Sequence, residues 1–236
     1  KWMDVYYTIF DFLYSVYSRE LFDTVKSLQP DCIVSGRIGN DLGEYMTTSD
    51  NFLPRLSYEG DWELPATLND TWGYKIGDEN FKSPDEVIRL LLKVVSRGGN
   101  YLLNIGPDGT GAVPKGSLDV LNEVGKYVKE NGEGIFGTKA MPYYPYELDW
   151  AELTRKEHKL YVHVLKKREY IELPNIANHS VSAKVLKNDR ALEPQNTLNC
   201  EEISTIVIHL PKDLWKETNY CVEITLQEEG LEFLSL

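Results

Sequence analysis

The chain has 236 residues, 42% hydrophobic and 11% aromatic, with 25 Lys and Arg against 37 Asp and Glu for a formal net charge of -12. That length fits one or two domains of the usual ~150 residues with apolar content for a real core, which argues against disorder. No run approaches the ~18 to 20 apolar residues of a spanning helix, no signal segment opens the chain, and an acidic balance with only short basic clusters (Lys166-Lys167-Arg168) argues against nucleic acid and membrane as partners.

Val5 to Phe12 is a short β-branched and aromatic run with Asp11 at its end. Tyr17 to Leu28 places Leu21, Phe22, Val25 and Leu28 at helical spacing and is stopped by Pro30. Cys32-Ile33-Val34 reads as a second buried strand, followed by a long loop. In that loop, residues 41 to 70 hold seven carboxylates (Asp41, Glu44, Asp50, Glu59, Asp61, Glu63, Asp70) against one cation, Arg55. Such stretches usually face water, yet here Tyr45, Tyr58, Trp62, Trp72 and Tyr74 are interleaved or adjacent.

Ser83-Pro84-Asp85-Glu86 supplies an N-cap, a proline at the first helical position and a Glu placed for a capping box. Val87, Leu90, Leu91, Val94 and Val95 are the expected buried stripe, and Gly98-Gly99 ends the helix. Tyr101 to Ile105 is a third strand, Gly106 to Gly111 a turn, and Ser117 to Asn131 a further helix closed by Gly132. Strand-helix repetition of this kind predicts parallel β/α units.

From about residue 139 the pattern changes to strands and turns. Lys159 to Leu165, Ser180 to Leu186, Ile203 to Leu210 and Tyr220 to Leu226 alternate, separated by Pro174, Asn175, Asn188, Asp189 and Pro211, which predicts an antiparallel sandwich. We place the boundary near 138, giving domains 1–138 and 139–236. Cys32, Cys200 and Cys221 show no CxxC spacing; Cys200 and Cys221 either pair on neighbouring strands or are buried thiols.

In β/α architectures the loops leaving the strands' C-terminal ends carry the chemistry. Asp11 closes the first strand, while Arg37 and the acidic loop leave the second. Two carboxylates among aromatics suit glycoside hydrolysis, which needs one group to attack or activate water and one to protonate the leaving oxygen, beside rings that stack on a sugar's C–H face. Metal binding fits worse: His158, His163, His179 and His209 all lie in the strand-rich region, where exposed or core-edge roles are commoner, and no EF-hand spacing appears. The glycine-rich turns lack the Lys-Ser/Thr of a phosphate loop. No metal and no cofactor is expected.

Ser35-Gly-Arg-Ile-Gly-Asn40, Gly43-Glu-Tyr-Met-Thr-Thr-Ser-Asp-Asn51, Asp61-Trp-Glu63, Thr71-Trp-Gly-Tyr74, Gly98-Gly-Asn-Tyr-Leu-Leu-Asn-Ile-Gly-Pro107 and Asn131-Gly-Glu-Gly-Ile-Phe-Gly137 together resemble the second half of a family 29 glycoside hydrolase, an α-L-fucosidase. The resemblance implies a partial (β/α)8-type barrel followed by a β-sandwich. It further implies hydrolysis of terminal α-L-fucosyl residues with retention through a fucosyl-enzyme ester, a fucosylated glycan as partner, and a secreted, periplasmic or lysosomal setting. Thr8-Ile-Phe-Asp11 resembles the nucleophile's strand end, so Asp11 is the implied nucleophile, with Asp4 as rival. Asp50 aligns with the acid/base of some members; others carry a Glu where this chain has Phe52, and Glu44, Glu59 and Glu63 are fallbacks. Arg37 and Trp72 resemble the groups that reach the sugar and its methyl edge, and Glu63 a positioning carboxylate. An ionised nucleophile beside a protonated acid asks for unequal surroundings, through burial of Asp50 or the field of the first carboxylate.

The family's barrel begins upstream of this sequence, and its sugar-binding histidines belong to that part; residues 1 to 157 contain no His. A half-barrel leaves strand edges unpaired, which is expected of a portion of a longer enzyme, of a chain whose other half is supplied separately, or of a divergent homologue that binds fucose without turnover; a start at Lys1 favours a portion or processed chain, and the missing half or a homo-oligomer is the expected partner. Asn69-Asp-Thr71 and Asn178-His-Ser180 are glycosylation sequons, a pattern frequent by chance.

Overall fold

The structure is a computed structural model that describes residues 16–54, 58–141, 148–176, 178–198 and 204–227. Its contacts group the chain into two compact units, one running to Ala66 and including Gly99–Leu102, the other comprising Thr67–Gly98 and Leu103 onward.

In the first unit, helix α1 covers 16–28 and stops before Pro30 as expected. Its apolar stripe is not core: Tyr17, Leu21 and Leu28 are exposed. The strand expected at Cys32–Val34 is an extended segment that makes one parallel bridge, Ser35 to Tyr45, with the Glu44 amide donating to the Val34 carbonyl. Ile33 is 69% exposed, not buried. Among the described residues no strand lies along the segment's other edge, so hydrophobicity there is not matched by burial.

The segment expected to be a long loop contains two strands. β1 (Met46–Thr47) pairs in parallel with β2 (Trp62–Thr67), Met46 opposite Trp62 and Thr47 opposite Glu63, and β3 (Asn100–Asn104) lies on the other side of β2. β2 escapes pattern reading because it is six residues long, holds Pro65, and is buried at Trp62, Leu64, Pro65, Ala66 and Thr67 without alternation. Trp62 is held edge-on by Tyr58, ring centroids 5.8 Å apart. Gly99 is what lets the Trp62 ring fit: a Cβ there would stand 2.4 to 2.5 Å from three of its ring atoms. Gly99→Ala should therefore destabilise by about 1–3 kcal/mol through overpacking, read as a lower urea midpoint at unchanged m-value.

In the second unit, α2 (Pro84–Val95) starts with the expected capping box: the Glu86 amide donates to Ser83 Oγ at 3.3 Å and the Ser83 amide to Glu86 Oε2 at 2.7 Å. Its buried face is turned from the expected stripe. Val87 and Val94 are buried, but Ile88 and Leu92 replace Leu90, Leu91 and Val95, which are half-buried. α3 spans Lys115–Asn131 and continues into a 3-10 turn, Gly132–Gly134.

The remaining strands are β4 (Lys139–Ala140), β5 (Ala151–Lys156), β6 (Lys159–Val164), β7 (Tyr170–Pro174), β8 (Ser180–Val185), β9 (Arg190–Leu192), β10 (Pro194–Leu198), β11 (Ser204–His209) and β12 (Tyr220–Leu226). They form two antiparallel sheets, β4-β5-β6-β12-β8-β9 and β10-β11-β7. Leu153, Leu160, Val162, Val185, Val222 and Ile224 of the large sheet share one core with Ile171, Leu173, Ile206 and Ile208 of the small one, the sandwich that the alternation predicts.

β6 is buried on both faces. Leu160, Val162 and Val164 join the sandwich core, while Tyr161 and His163 point the other way and are buried as well. His163 is therefore neither exposed nor at the core's edge, as its strand position had suggested. It lies in a polar knot with α3 and the 3-10 turn: its Nε2 is 2.9 Å from the Gly134 carbonyl and its Nδ1 is 3.1 Å from Tyr127 Oη. Thr154 Oγ1 donates to the same carbonyl at 2.6 Å, and the Cys221 amide donates to Asn131 Oδ1 at 2.9 Å. Cys221 is a buried free thiol that burial holds protonated; Cys200 lies outside the described residues.

Candidate functional site

Two glycines make the first unit's loops converge. Gly36 and Gly43 meet backbone to backbone; a Cβ on Gly43 would sit 2.3 Å from Gly36 Cα, and one on Gly36 2.8 Å from the Tyr45 carbonyl. The Ser35-Gly-Arg and Gly43-Glu-Tyr segments can therefore lie side by side only as glycine-bearing strands of backbone. Ser35 caps the 3-10 turn Gly36–Ile38 by accepting from the Arg37 amide at 3.3 Å.

From that cap a directed chain of hydroxyls runs to a carboxylate. Ser35 Oγ is 2.7 Å from Thr47 Oγ1, and Thr47 Oγ1 donates to Glu63 Oε1 at 2.9 Å. Because the Thr47 proton goes to Glu63, Ser35 must donate to Thr47. The parallel register that sets Thr47 opposite Glu63 fixes this geometry, so Glu63 is oriented by secondary structure and by two hydroxyls.

Arg37 leaves the same turn. Its Nη2 donates to the Thr48 carbonyl at 3.3 Å and pairs with Asp50 Oδ1. Arg37, Asp50 and Glu63, chosen from the sequence for different roles, are thus linked through one turn, Arg37 and Asp50 by their ion pair and Glu63 by the hydroxyl chain from Ser35. The burial expected of Asp50 is absent: the side chains of Arg37 and Asp50 are 54% and 44% exposed. An ion pair this open is worth about 0–1 kcal/mol, so separating it to admit a ligand costs little.

The fallback carboxylates divide. Glu44 accepts from Lys26 Nζ at 2.8 and 3.0 Å and from the Val34 amide at 2.9 Å; the Lys26 hydrogen bond, then that amide, hold its carboxyl below the usual range. It fastens a loop to α1 and is ill suited to donate a proton. Glu59 is exposed, and so is Phe52 at 65%. Trp62 belongs to the core, which removes it from the aromatics available to a sugar.

Trp72 lies in the second unit, 41% exposed, and so is a surface ring. Its carbonyl accepts from Asn104 Nδ2 at 2.6 Å, and Gly106, at φ 50°, closes against it: a Cβ there would lie 3.2 Å from that oxygen. The Thr71-Trp-Gly-Tyr and Asn104-Ile-Gly motifs are therefore two sides of one backbone contact. Asp11, Asp4 and Arg55 lie outside the described residues.

Ser35 and Thr47 were passed over by sequence reasoning. Their signal was their place in the two glycine-bearing motifs, and it becomes legible only with the parallel β1–β2 register. Among the described residues no group of three or more His, Cys, Asp or Glu side chains is arranged to hold a metal ion, and no helix is long and apolar enough to cross a membrane.

Comparison with known proteins matches residues 2–133 to the family described as alpha-L-fucosidase. The human tissue alpha-L-fucosidase is 29% identical over 158 residues, which is 64% of this chain and 32% of that protein. Among solved structures, alpha-L-fucosidase isoenzyme 1 from Paenibacillus thiaminolyticus is similar with a TM-score of 0.79 at 29% identity, covering 89% of this chain and 53% of that one. The alpha-L-fucosidase from Vibrio sp. strain EJY3 is similar with a TM-score of 0.81 at 28% identity, covering 93% and 40%. The chain thus spans about a third of the human relative and 53% and 40% of these two solved chains, and its fold is that of a partial barrel followed by a β-sandwich.

Proposed function

Because this chain belongs to the α-L-fucosidase family, we propose that it forms the later part of a retaining α-L-fucosidase, acting on terminal α-L-fucosyl residues of glycans, with the barrel portion ending near residue 138. The observation that carries the reading is that one turn, Gly36–Ile38 with its cap Ser35, supplies both Arg37, which pairs with Asp50, and the hydroxyl chain through Thr47 that holds Glu63 at 2.9 Å.

In this reading a carboxylate oxygen of Asp11 attacks the anomeric carbon as the glycosidic C–O bond breaks, and Asp50 passes its proton to the departing oxygen. Water then attacks the same carbon from the face the aglycone left, Asp50 takes its proton, and the ester to Asp11 is released with net retention. Arg37, freed from Asp50 by the arriving sugar, donates to a hydroxyl, and Glu63 accepts from another. Trp72 offers its ring face to the apolar edge that carries the sugar's methyl group.

The acid/base role is tested by Asp50→Asn in a protein carrying the whole barrel. Hydrolysis of a fucosyl glycan, whose leaving oxygen needs a proton, should fall about 10²–10⁴-fold, while an activated aryl fucoside loses far less. Equal losses on both substrates would remove Asp50 from the role and return it to Glu59 or Glu63.

A second reading, a homologue that binds fucose without turnover, is favoured by Phe52, which cannot transfer a proton and stands where other members carry Glu. Titrating L-fucose and an aryl fucoside into this chain separates the two: binding without release of the aryl group supports the second reading, and turnover ends it.

A further inference from the structure

The Asn69-Asp-Thr71 sequon is left unused by the function above, and its side chains are committed to one atom. Asn69 Nδ2 donates to Asp78 Oδ2 at 2.9 Å, and Thr71 Oγ1 donates to the same oxygen at 2.6 Å. The Thr71 hydroxyl also stands 2.9 Å from the Gly73 carbonyl. Between these residues lie Trp72, Gly73 and Tyr74, and the segment turns back at Gly77, φ 83°, where the Asp78 amide donates to the Lys75 carbonyl at 3.2 Å.

We infer that Asp78 is a positioning residue for Trp72, closing the segment 69–78 into a rigid loop that holds the indole for sugar contact, and that the sequon is the other half of this clamp. The sugar contact itself rests on the function proposed above; the clamp does not.

First, a hydroxyl and an amide aimed at a carboxylate are charge-assisted hydrogen bonds, about twice as strong as neutral ones. The Thr71 hydroxyl holds the Asp78 carboxyl below its usual range, so the acceptor stays charged near neutral pH. Second, Trp72 and Tyr74 are both exposed, so burial of their rings does not fix the loop. An exposed loop without such ties samples many conformers, and ordering each of its residues costs about 1–2 kcal/mol. Third, the other ties each hold a different point of the loop: Asn104 Nδ2 donates to the Trp72 carbonyl at 2.6 Å, and Asn80 Nδ2 donates to the two carboxylate oxygens of Asp70 at 3.0 and 3.1 Å. Asp78 is the group that joins both arms of the loop through a single oxygen.

The test uses this chain labelled with 5-fluorotryptophan, the Trp72 fluorine signal being assigned by its loss in Trp72→Phe. Asp78→Ala and Thr71→Val should each shift and broaden that signal while the other tryptophan signals stay in place, and Thr71→Ser, which keeps the hydroxyl, should restore it. L-fucose titrated against the same signal should bind about tenfold more weakly in Asp78→Ala and Thr71→Val than in the parent. An unchanged Trp72 signal in both variants overturns the clamp. A displaced signal with unaltered fucose affinity overturns the positioning role. Should Asp78→Ala disturb every tryptophan, Thr71→Val decides alone, because it removes one hydroxyl at near-constant shape. A parent Trp72 signal indifferent to fucose refutes the sugar contact of the proposed function, and the clamp is then judged on the variants' spectra.

Discussion

Asp11→Gly, in a protein that carries the whole barrel, should lose about 10³-fold or more of its turnover of an aryl α-L-fucoside. The loss follows from the chemistry assigned to Asp11. A carboxylate that forms the fucosyl ester provides the covalent step itself, and Gly leaves neither a nucleophile nor a group to hold water in its place. The substitution also vacates the volume of a carboxylate beside the anomeric carbon. Azide added to the variant should enter that space and attack in a single displacement, breaking the C–O bond to the aryl group and giving the inverted fucosyl azide. Recovery of turnover with an inverted product identifies the missing group as the nucleophile. Undiminished turnover in Asp11→Gly would instead point to Asp4, the other carboxylate of the first segment.

The second large effect is on stability and depends on acid. The Gly134 carbonyl can only accept, so His163 Nε2 carries the proton and Nδ1 accepts from the Tyr127 hydroxyl. Protonating Nδ1 would set two donors against each other in a dry site. Burial drives the His163 pKa down from 6.5 to about 4, the Gly134 carbonyl acting weakly the other way. The surrounding groups are Tyr127 on α3, Glu133 on the 3-10 turn, Glu152 and Thr154 on β5, Lys159 and Tyr161 on β6, and Cys221 and Glu223 on β12. Lys159 bonds to both Glu133 and Glu223, at 2.8 and 3.0 Å, which ties the nearby carboxylates to a cation.

Since the native protein holds its proton less tightly than the unfolded chain, the contribution of His163 is fully present above about pH 6.5. It is lost as pH falls through about 4, and amounts to about 3 kcal/mol. Urea midpoints measured from pH 7 to pH 4 should show this decline. His163→Gln, which can still donate to Gly134 and accept from Tyr127, should flatten it while keeping most of the stability at pH 7. A variant whose midpoints fall with pH as steeply as the parent's would show that other groups carry the acid sensitivity.

The parts of the fold that a sequence can announce are those written in local chemistry. The capping box at Ser83 and Glu86, the stop at Pro30, and the alternation of β8, β11 and β12 are each decided by a few neighbouring residues. β2 was illegible because its burial comes from what lies on both of its faces, and Pro65 masks the strand. The face of α2 was misjudged by about one residue, since Ile88 and Leu92 are as apolar as Leu90 and Leu91 and only the neighbouring elements choose between them. An exposed or core-edge role is what the strand position of His163 implies; its burial comes from the second face of β6, where Tyr127 of α3 and Gly134 of the following turn meet it. In the site, Arg37, Asp50 and Glu63 were legible as chemistry, but their ion pair and hydroxyl chain depend on the contact of Gly36 with Gly43 and on the β1–β2 register. Neither has a pattern within a single segment.

The supply of the nucleophile by this chain is the step on which the proposed fucosidase function turns. It is tested most directly by treating the protein with 2-deoxy-2-fluoro-α-L-fucosyl fluoride and mapping the product by peptide mass spectrometry. The fluorine at C2 slows release of the ester, so loss of fluoride from C1 should leave one fluorofucosyl group bound through a carboxylate. That group is expected on the peptide containing Asp11 and specifically on its side chain. A fluorofucosyl adduct on any other residue, or release of free sugar with inverted configuration and no adduct, would contradict it.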